Sequence, residues 1–205
     1  MIDDAHPLLL GSGSPRRREI LTTLGLPLRA VSLDVDERGL EGERPEDYLT
    51  RIAASKLAAA APHAAGAGGV LVADTSVILG DTALGKPADE AEARAMLWAL
   101  SGREHEVWTR FAIARADDPG RAVHAETVRT RVVFRALGED EIAAYAATGE
   151  GLDKAGAYAI QGIGAFAVAR IEGSYSNVVG LPACEVIAAL KRAGLLGRFP
   201  RPSKP

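Results

Sequence analysis

The first candidate for chemistry is a loop of small residues followed by a cluster of arginines near the start of the chain. An apolar run at 8–10 enters the loop Gly11–Ser14, and Arg16–Arg18 follow Pro15. Ser14 and Pro15 predict a helix start, because serine accepts from the free N–H groups of the first turn and proline there loses no needed donor. N–H groups at a helix N-terminus, together with guanidinium groups, suit phosphate oxygens. The stretch is therefore consistent with a phosphate-binding loop.

The same stretch also fits a purely structural role. Short Gly/Ser turns before surface helices are common, and their arginines are often simply solvated. Successive helical residues point in different directions, so at most two of the three arginines can face one ligand. We expect Arg18 to be the solvated one. No Gly-Lys-Ser/Thr follows, which excludes a Walker loop.

Asp74 is the second candidate, because it directly follows the apolar run Val70–Ala73. Such a run predicts a strand buried on both faces, and ligand chemistry in α/β sheets gathers at the carboxyl ends of strands. A carboxylate there needs a cation, a metal or backbone donors, or a position near solvent at a cleft. Lys86, before a proline in a glycine-containing turn, suits a fixed loop that holds an anion. Other charged candidates, each also compatible with a solvated surface charge, are Asp36, Glu37, Lys56, Asp153 and Lys154.

Other kinds of site fit poorly. Gly-x-Ser-x-Gly is absent, the four histidines lack the i,i+4 pairing of a metalloprotease helix, and the single cysteine excludes an intrachain disulfide. A hard ion such as Mg²⁺, held by carboxylates and phosphate oxygens, suits the remaining residues better than zinc. Cations around one or two carboxylates describe a site for phosphate esters or phosphoanhydrides, whose hydrolysis depends on neutralising charge and orienting water.

Composition bounds the class of protein. The 205 residues are 47% hydrophobic and 25% charged, which is ordinary for a globular protein with a sizeable core. The net charge of -3 argues against broad attraction to nucleic acid or to an anionic membrane. The N-terminus has neither a basic region nor a long apolar segment, so we predict no signal peptide or transmembrane helix and a cytoplasmic location.

The order of predicted elements favours a mixed α/β sheet with helices on both faces and some antiparallel pairing in the second half. We find no repeat or linker that divides the chain into separate domains. The predicted elements include a strand at Leu28–Leu33, a helix from Pro45, a helix beginning near Asp89, a hairpin of His105–Ala114 and His124–Phe134 joined by Asp117–Gly120, a helix at Glu139–Ala147, a strand at Phe166–Ile171, a loop at Gly173–Asn177 and a helix after Pro182.

Seven blocks, in order along nearly the whole chain, resemble the Maf family of nucleoside triphosphate pyrophosphatases. One such block would be weak evidence, but seven in order are strong. The blocks are Ser12–Arg17, Arg44–Tyr48 with Lys56, Ala73–Thr75, Gly85–Pro87, Ser101–His105, Asp153–Gly162 and Gly173–Pro182.

The resemblance implies the fold of the Maf and inosine triphosphate pyrophosphatase group, an α/β fold with an elongated mixed β-sheet, flanking helices and two lobes around a cleft. It implies a single Maf-like domain at 1–198, and the proline-rich, polar composition of 199–205 predicts a flexible tail there. It also implies a hydrolase that acts on the α–β phosphoanhydride bond, converting a nucleoside triphosphate and water to the monophosphate and diphosphate. The implied cofactor is a divalent cation, Mg²⁺ or Mn²⁺.

Residue roles follow from the resemblance as well. Asp74 matches the family's proton acceptor, which would activate the attacking water or hold its metal. Glu37 matches an acidic position that assists the metal, so Asp74 and Glu37 are the expected metal ligands. Groups around the triphosphate are matched by Ser12, Arg17, Lys56 and Lys86, and we count both lysines among the catalytic residues.

Three positions separate branches of the family. Arg16, Thr75 and Gln161 agree with the branch that resembles dTTP/UTP pyrophosphatases, whereas the branch acting on 7-methyl-GTP tends to carry Trp, Gln and Glu there. A glutamine amide offers a donor and an acceptor, which matches a pyrimidine edge with an imide N–H between carbonyls. An ionised glutamate offers only acceptors. We therefore assign Gln161 to base recognition as a hypothesis.

The sequence leaves alternatives open. A nucleotide-binding regulator of septum formation and cell division, with incidental hydrolysis, is the second functional hypothesis, because the family has been linked to arrest of septum formation. A third differs only in substrate, namely modified rather than normal pyrimidine nucleotides. The expected partner is a nucleoside triphosphate, with no stable nucleic acid and no membrane. Homodimers are common in the family, but no stretch of this chain identifies an interface.

Overall fold

The computed structural model describes residues 1–200. The strands are β1 (Leu8–Gly11), β2 (Leu28–Val31), β3 (Gly69–Leu79), β4 (Thr82–Leu84), β5 (Glu104–Arg115), β6 (Asp118–Phe134) and β7 (Val168–Glu172). The helices are α1 (Pro15–Thr23), α2 (Pro45–Ala60), α3 (Glu90–Leu100), α4 (Glu139–Ala147), α5 (Tyr175–Val179) and α6 (Ala183–Arg192), with short 3₁₀ helices at Ala61–His63, Ala155–Ala157 and Ile163–Ala167. Of the tail predicted at 199–205, residues 201–205 lie outside the described part. Among the described helices, none is long and apolar enough to cross a membrane.

Over residues 1–200 the strands form one seven-stranded mixed sheet in the order β2-β1-β3-β5-β6-β7, with β4 paired to β3. β1 pairs in parallel with β2 and with β3, whereas β4 and β7 pair antiparallel with β3 and β6. Only two residues, Ala116 and Asp117, join β5 to β6, a connection that suits antiparallel strands. The predicted mixed α/β fold with flanking helices is confirmed.

β3 is longer than the sequence predicts. We expected the strand to end just before Asp74, but it continues to Leu79, so Asp74 lies inside the strand and that expectation is wrong. The parallel pairing with β1 nevertheless ends at Val72, and the antiparallel pairing with β4 begins at Val77. Asp74 therefore lies just past the parallel part of the sheet, where ligands bind in α/β folds.

Other local predictions had mixed outcomes. The helix at Glu139–Ala147 and the helix start at Asp89, which caps α3 through its side chain, are confirmed. The hairpin turn is shorter than predicted, since Asp118–Gly120 already belong to β6. Phe166 lies in a 3₁₀ helix rather than a strand, and the predicted loop Gly173–Asn177 contains the start of α5.

The chain forms two compact units. The first comprises Met1–Asp74, Arg110–Val128 and 180–200, and the second comprises Thr75–Thr109 and Arg129–Val179. β1, β2, α1, α2 and α6 belong to the first unit, and β4, β7, α3, α4 and α5 to the second. The longer strands β3, β5 and β6 contribute residues to both.

The first unit has hydrophobic cores on both faces of its strands. Leu8 and Leu10 of β1 pack in a cluster with residues of α6, whereas Leu9 packs in a second cluster with Leu57 and Ala60 of α2. Successive side chains of a strand point to opposite faces, so β1 is apolar at every position. This packing fixes α2 against one face of the sheet.

The core of the second unit contains a buried histidine. α3 and α4 contribute Leu97 and Ile142, and β6 contributes Phe134. His105 is 2% exposed, its Nε2 lies 2.9 Å from the Tyr158 hydroxyl, and its ring packs edge-on against Phe134. Burial lowers the pKa of His105 from the ordinary 6.5 to about 4, so the ring is neutral at pH 7.

The buried histidine predicts a pH-dependent stability. The unfolded chain takes up a proton near pH 6.5 and the folded chain only near pH 4, so this stabilisation is fully present above pH 6.5 and is lost as the pH falls towards 4. Between pH 7 and pH 5, His105 should lower the free energy of unfolding by about 2 kcal/mol. Urea unfolding of the wild type and of His105→Phe at both pH values measures this difference. Equal pH dependence in the two proteins would contradict it.

Candidate active site

Arg17 is directed into the protein interior and organises the loop before α1. Ser14 caps α1 as predicted, and its side chain accepts from the Arg17 N–H. The Arg17 guanidinium donates to the carbonyls of Gly180 and Ala73 at 2.8 and 2.7 Å and to the Ser12 hydroxyl at 3.2 Å. Arg17 thus joins the loop to the end of the parallel part of β3. Arg18 is exposed, as expected.

The buried Arg17 charge is compensated nearby. Burial lowers the pKa of Arg17, and the carboxylate of Asp74 opposes that effect by favouring the charged form. Arg16, next along α1, is half-buried. The arginine cluster therefore separates into a buried structural cation, a half-buried one and a solvated one.

Lys56, Asp74 and Glu37 form one polar cluster. The Lys56 ammonium lies 2.6 Å from a carboxylate oxygen of Asp74 and 2.6 Å from one of Glu37. The side chains of Lys56 and Asp74 are each 10% exposed, whereas that of Glu37 is 41% exposed. Lys56 and Asp74 therefore form the buried part of this cluster, and the Glu37 side chain reaches solvent.

The sequence of α2 explains how a lysine reaches this position. Pro45 begins the helix and two acidic residues follow in its first turn, as the helix dipole favours. The core-facing residues Ile52, Ala53 and Leu57 carry Lys56 to the sheet with its ammonium beside Asp74. The alkyl stem of a lysine can pack among apolar side chains while its charge stays at a polar site.

The loop that carries Glu37 is held from α2 by hydrogen bonds. The Tyr48 hydroxyl donates to the Glu37 carbonyl at 3.0 Å, and the Arg51 guanidinium donates to the Arg38 carbonyl at 3.0 Å. Arg51 also forms a two-pronged ion pair with Glu43 at 2.6 and 2.7 Å. That pair lowers the pKa of Glu43 to about 2. Tyr48 and Arg51 lie three residues apart on one helix, so they face the same loop.

A cavity of about 600 Å³ lies between this loop and α2. Its walls include Asp34, Val35, Leu40, Arg51 and Ser55. Residues 34–44 are all exposed or half-buried, so apolar packing contributes little to the position of this loop. The hydrogen bonds from Tyr48 and Arg51 hold its backbone at Glu37 and Arg38.

Three further predicted site residues belong to the second unit, namely Thr75, Lys86 and Gln161. The Thr75 hydroxyl lies 2.9 Å from that of Thr109, in contact with a polar network that includes Asn177. Lys86 is exposed in the loop after β4, and Gln161 is exposed in a turn. The assignments of Lys86 to the triphosphate and of Gln161 to the base stay predictions.

The first unit thus gathers Ser12, Arg17, Lys56, Asp74 and Glu37 in one connected set of contacts. Sequence reasoning gave no role to Arg51 or Glu43, and it named Tyr48 as part of a block that resembles the Maf family. The signal available was the three-residue spacing of Tyr48 and Arg51 on α2, but the loop carbonyls that accept from these two side chains are backbone atoms, which the sequence does not distinguish.

Comparison with known proteins shows the family to which the chain belongs. The Maf-like protein family model matches residues 7–193, so the chain belongs to the Maf family. A Myxococcus xanthus protein named dTTP/UTP pyrophosphatase is 53% identical over 192 residues, 94% of this chain and 95% of that protein. A Geotalea uraniireducens protein of the same name is 49% identical over 96% of this chain and 100% of its own length. The solved structure of the Staphylococcus aureus Ham1 protein aligns with 64% of this chain and 72% of its own at 12% identity, with a TM-score of 0.38.

The contacts of Arg17 predict a large difference between two neighbouring arginines. Arg17→Met should lower the free energy of unfolding by about 3 kcal/mol, because two buried carbonyls and the Asp74 charge lose a partner. Arg18→Met, at an exposed position of the same helix, should change it by no more than about 0.5 kcal/mol. Urea unfolding followed by circular dichroism compares the two. Similar losses in both variants would contradict the structural role of Arg17.

Proposed function

We propose that the protein hydrolyses dTTP and UTP to the nucleoside monophosphate and diphosphate. The observation that carries the proposal is the contact of the Asp74 and Glu37 carboxylates with one lysine ammonium, beside a loop and helix start suited to phosphate. The names of the relatives, at 53% and 49% identity over nearly the whole chain, support the same activity and the same pyrimidine nucleotides.

Asp74 accepts the proton of the attacking water in this proposal. The water oxygen bonds to the α-phosphorus, the α–β bridging oxygen leaves with diphosphate, and the proton passes to the Asp74 carboxylate. Lys56 orients that carboxylate through the 2.6 Å contact and adds positive charge near the phosphates. Arg17 fixes the Ala73 carbonyl, one residue before Asp74, and so holds the strand on which the base lies.

The donor set fits a divalent cation. Mg²⁺ is commonly bound by one or two carboxylates together with substrate phosphates and waters, and Asp74 and Glu37 already meet at one cation, the Lys56 ammonium. In residues 1–200 no group of three or more His, Cys, Asp or Glu is arranged to hold a metal. Asp74 and Glu37 would hold Mg²⁺ or Mn²⁺, and the cation would neutralise phosphate charge.

Ser12, Lys56 and Lys86 contact the triphosphate in this proposal, and Arg17, which the family resemblance also places there, holds the loop that carries Ser12. A triphosphate carries several negative charges, whereas Arg17 and Lys56 are already balanced by Asp74 and Glu37. We assign Arg16 and Lys86 to the triphosphate as further cations. Thr75 and Gln161 account for the preference for a pyrimidine base, since a glutamine amide complements an imide edge.

Substitution of Asp74 tests the activity most simply. Asp74→Asn keeps the shape of the side chain but removes the proton acceptor, so diphosphate release from UTP should fall by roughly a thousandfold. The matched control is Asp117→Asn, whose side chain is 82% exposed in the turn between β5 and β6, and it should keep wild-type activity. Enzyme-coupled diphosphate detection with Mg²⁺ measures both variants.

Two results would contradict the proposal. The first is the absence of diphosphate release from UTP or dTTP by the wild-type protein with Mg²⁺ or Mn²⁺. The second is an Asp74→Asn protein that retains activity within about tenfold of the wild type. Circular dichroism of each variant ensures that a loss of activity is not a loss of fold.

A further inference from the structure

A clamp of two side chains holds the turn that presents Gln161. The Gly162 N–H donates to the Ala159 carbonyl at 3.2 Å, which closes a turn with Ile160 and Gln161 at its two central positions. Gln161 is exposed at this turn, whereas Ala159 before it is buried. The direction in which Gln161 projects is therefore set by whatever fixes the residues on either side.

Tyr145 holds the residue before the turn. Tyr145 lies on α4, is 4% exposed, and packs against the Phe166 ring with a centroid distance of 5.7 Å. Its hydroxyl accepts from the Ala159 N–H at 3.1 Å and donates to the Glu150 carboxylate at 2.8 Å. One buried phenol thus joins Ala159 to Glu150.

Glu150 holds the residues after the turn. Its carboxylate accepts from the N–H groups of Ile163 and Gly164, both at 2.9 Å, in addition to the Tyr145 hydroxyl. Burial raises the pKa of the Glu150 carboxyl, but these three hydrogen bonds outweigh burial and leave the pKa below its ordinary value. The carboxylate is therefore ionised at neutral pH and acts as a pure acceptor.

The turn approaches the two side chains closely because Gly162 and Gly164 have no Cβ. A Cβ built on Gly162 would lie 2.1 Å from Glu150 Oε1, and one built on Gly164 would lie 2.5 Å from the Tyr145 hydroxyl. Both distances are shorter than real contacts allow. The backbone of the turn therefore approaches the two side chains as closely as it can, which restricts the freedom of the turn.

From these contacts we infer that Glu150 and Tyr145 are positioning residues for base selection. They hold the Ala159–Gly164 segment so that the Gln161 amide meets the pyrimidine edge in one orientation. This inference rests on the proposed function, because it gives Gln161 the base. Glu150 and Tyr145 touch neither the nucleotide nor the reacting atoms in this account; they act through Gln161.

The two glutamates near α4 allow a matched test. Glu150→Gln keeps the side chain's size, but one of its two terminal positions becomes a donor facing a backbone N–H or the Tyr145 hydroxyl. Glu141→Gln is the control: Glu141 lies on α4 and accepts from Arg135 at 2.6 and 3.1 Å and from the Gly138 N–H at 2.9 Å. Both variants lose a carboxylate and its hydrogen bonds, but only Glu150 holds the turn.

The measurement is the ratio of kcat/KM for UTP to that for CTP, which reports base reading, together with the melting temperature. Glu150→Gln and Tyr145→Phe should lower this ratio by about tenfold, because a displaced amide loses a discriminating contact. Gln161→Glu should lower it as well. Glu141→Gln should leave the ratio unchanged even if its melting temperature falls. Amide hydrogen exchange at Ile163 and Gly164 should be faster in Glu150→Gln than in the wild type.

The outcomes separate this inference from the proposed function. If Gln161→Glu changes the ratio and Glu150→Gln does not, the inference is wrong while the proposed function stands. If Gln161→Glu leaves the ratio unchanged, the inference fails together with the assignment of Gln161 to the base. Unchanged amide hydrogen exchange at Ile163 and Gly164 in Glu150→Gln would also overturn the inference. A wild-type protein that releases no diphosphate from UTP would contradict the proposed function itself.

Discussion

A single ammonium group shared by two carboxylates is the constraint on which the site in the first unit depends. Lys56 and Asp74 are both nearly buried, and removing such ions from water costs several kcal/mol each unless they are paired. The pair therefore forms only if α2 is held in a fixed position on the sheet next to β3. Leu57 and Ala60 of α2 fix that position by packing in one cluster with Leu9 of β1. Apolar packing thus determines where the charges meet.

The two carboxylates are held in different ways, one in a strand and one on a loop. Asp74 lies in a central strand next to a carbonyl held by Arg17, so its backbone is fixed by the sheet and by a buried cation. Glu37 lies on a loop above a cavity, and hydrogen bonds from Tyr48 and Arg51 hold it. The turn of Gln161 in the second unit follows the same principle. In both units, a segment without its own core is fixed by side chains of a neighbouring helix or turn.

The sequence predicts the parts of this arrangement that residue type and spacing determine. The Ser14 cap, the helix at Glu139–Ala147 and the candidacy of Asp74 each follow from a local rule on caps, periodicity or apolar runs. The extension of β3 beyond Asp74 was not predicted, because the polar residues Asp74, Thr75 and Ser76 interrupt the apolar run, although the pairing partner β4 follows only two residues after β3. The inward direction of the Arg17 side chain could not be predicted either, because the local sequence around a buried arginine does not differ from that around a solvated one. That direction depends on contacts with Ala73 and Gly180, which are far from Arg17 in the chain.

The most direct test of the shared-cation account is a crystal structure with Mn²⁺ and a UTP analogue whose α–β bridge resists hydrolysis. The account predicts an anomalous Mn²⁺ peak at the carboxylates of Asp74 and Glu37, with the α–β bridge of the analogue beside Asp74. An analogue bound elsewhere, with Asp74 and Glu37 contacting only Lys56, would contradict the account.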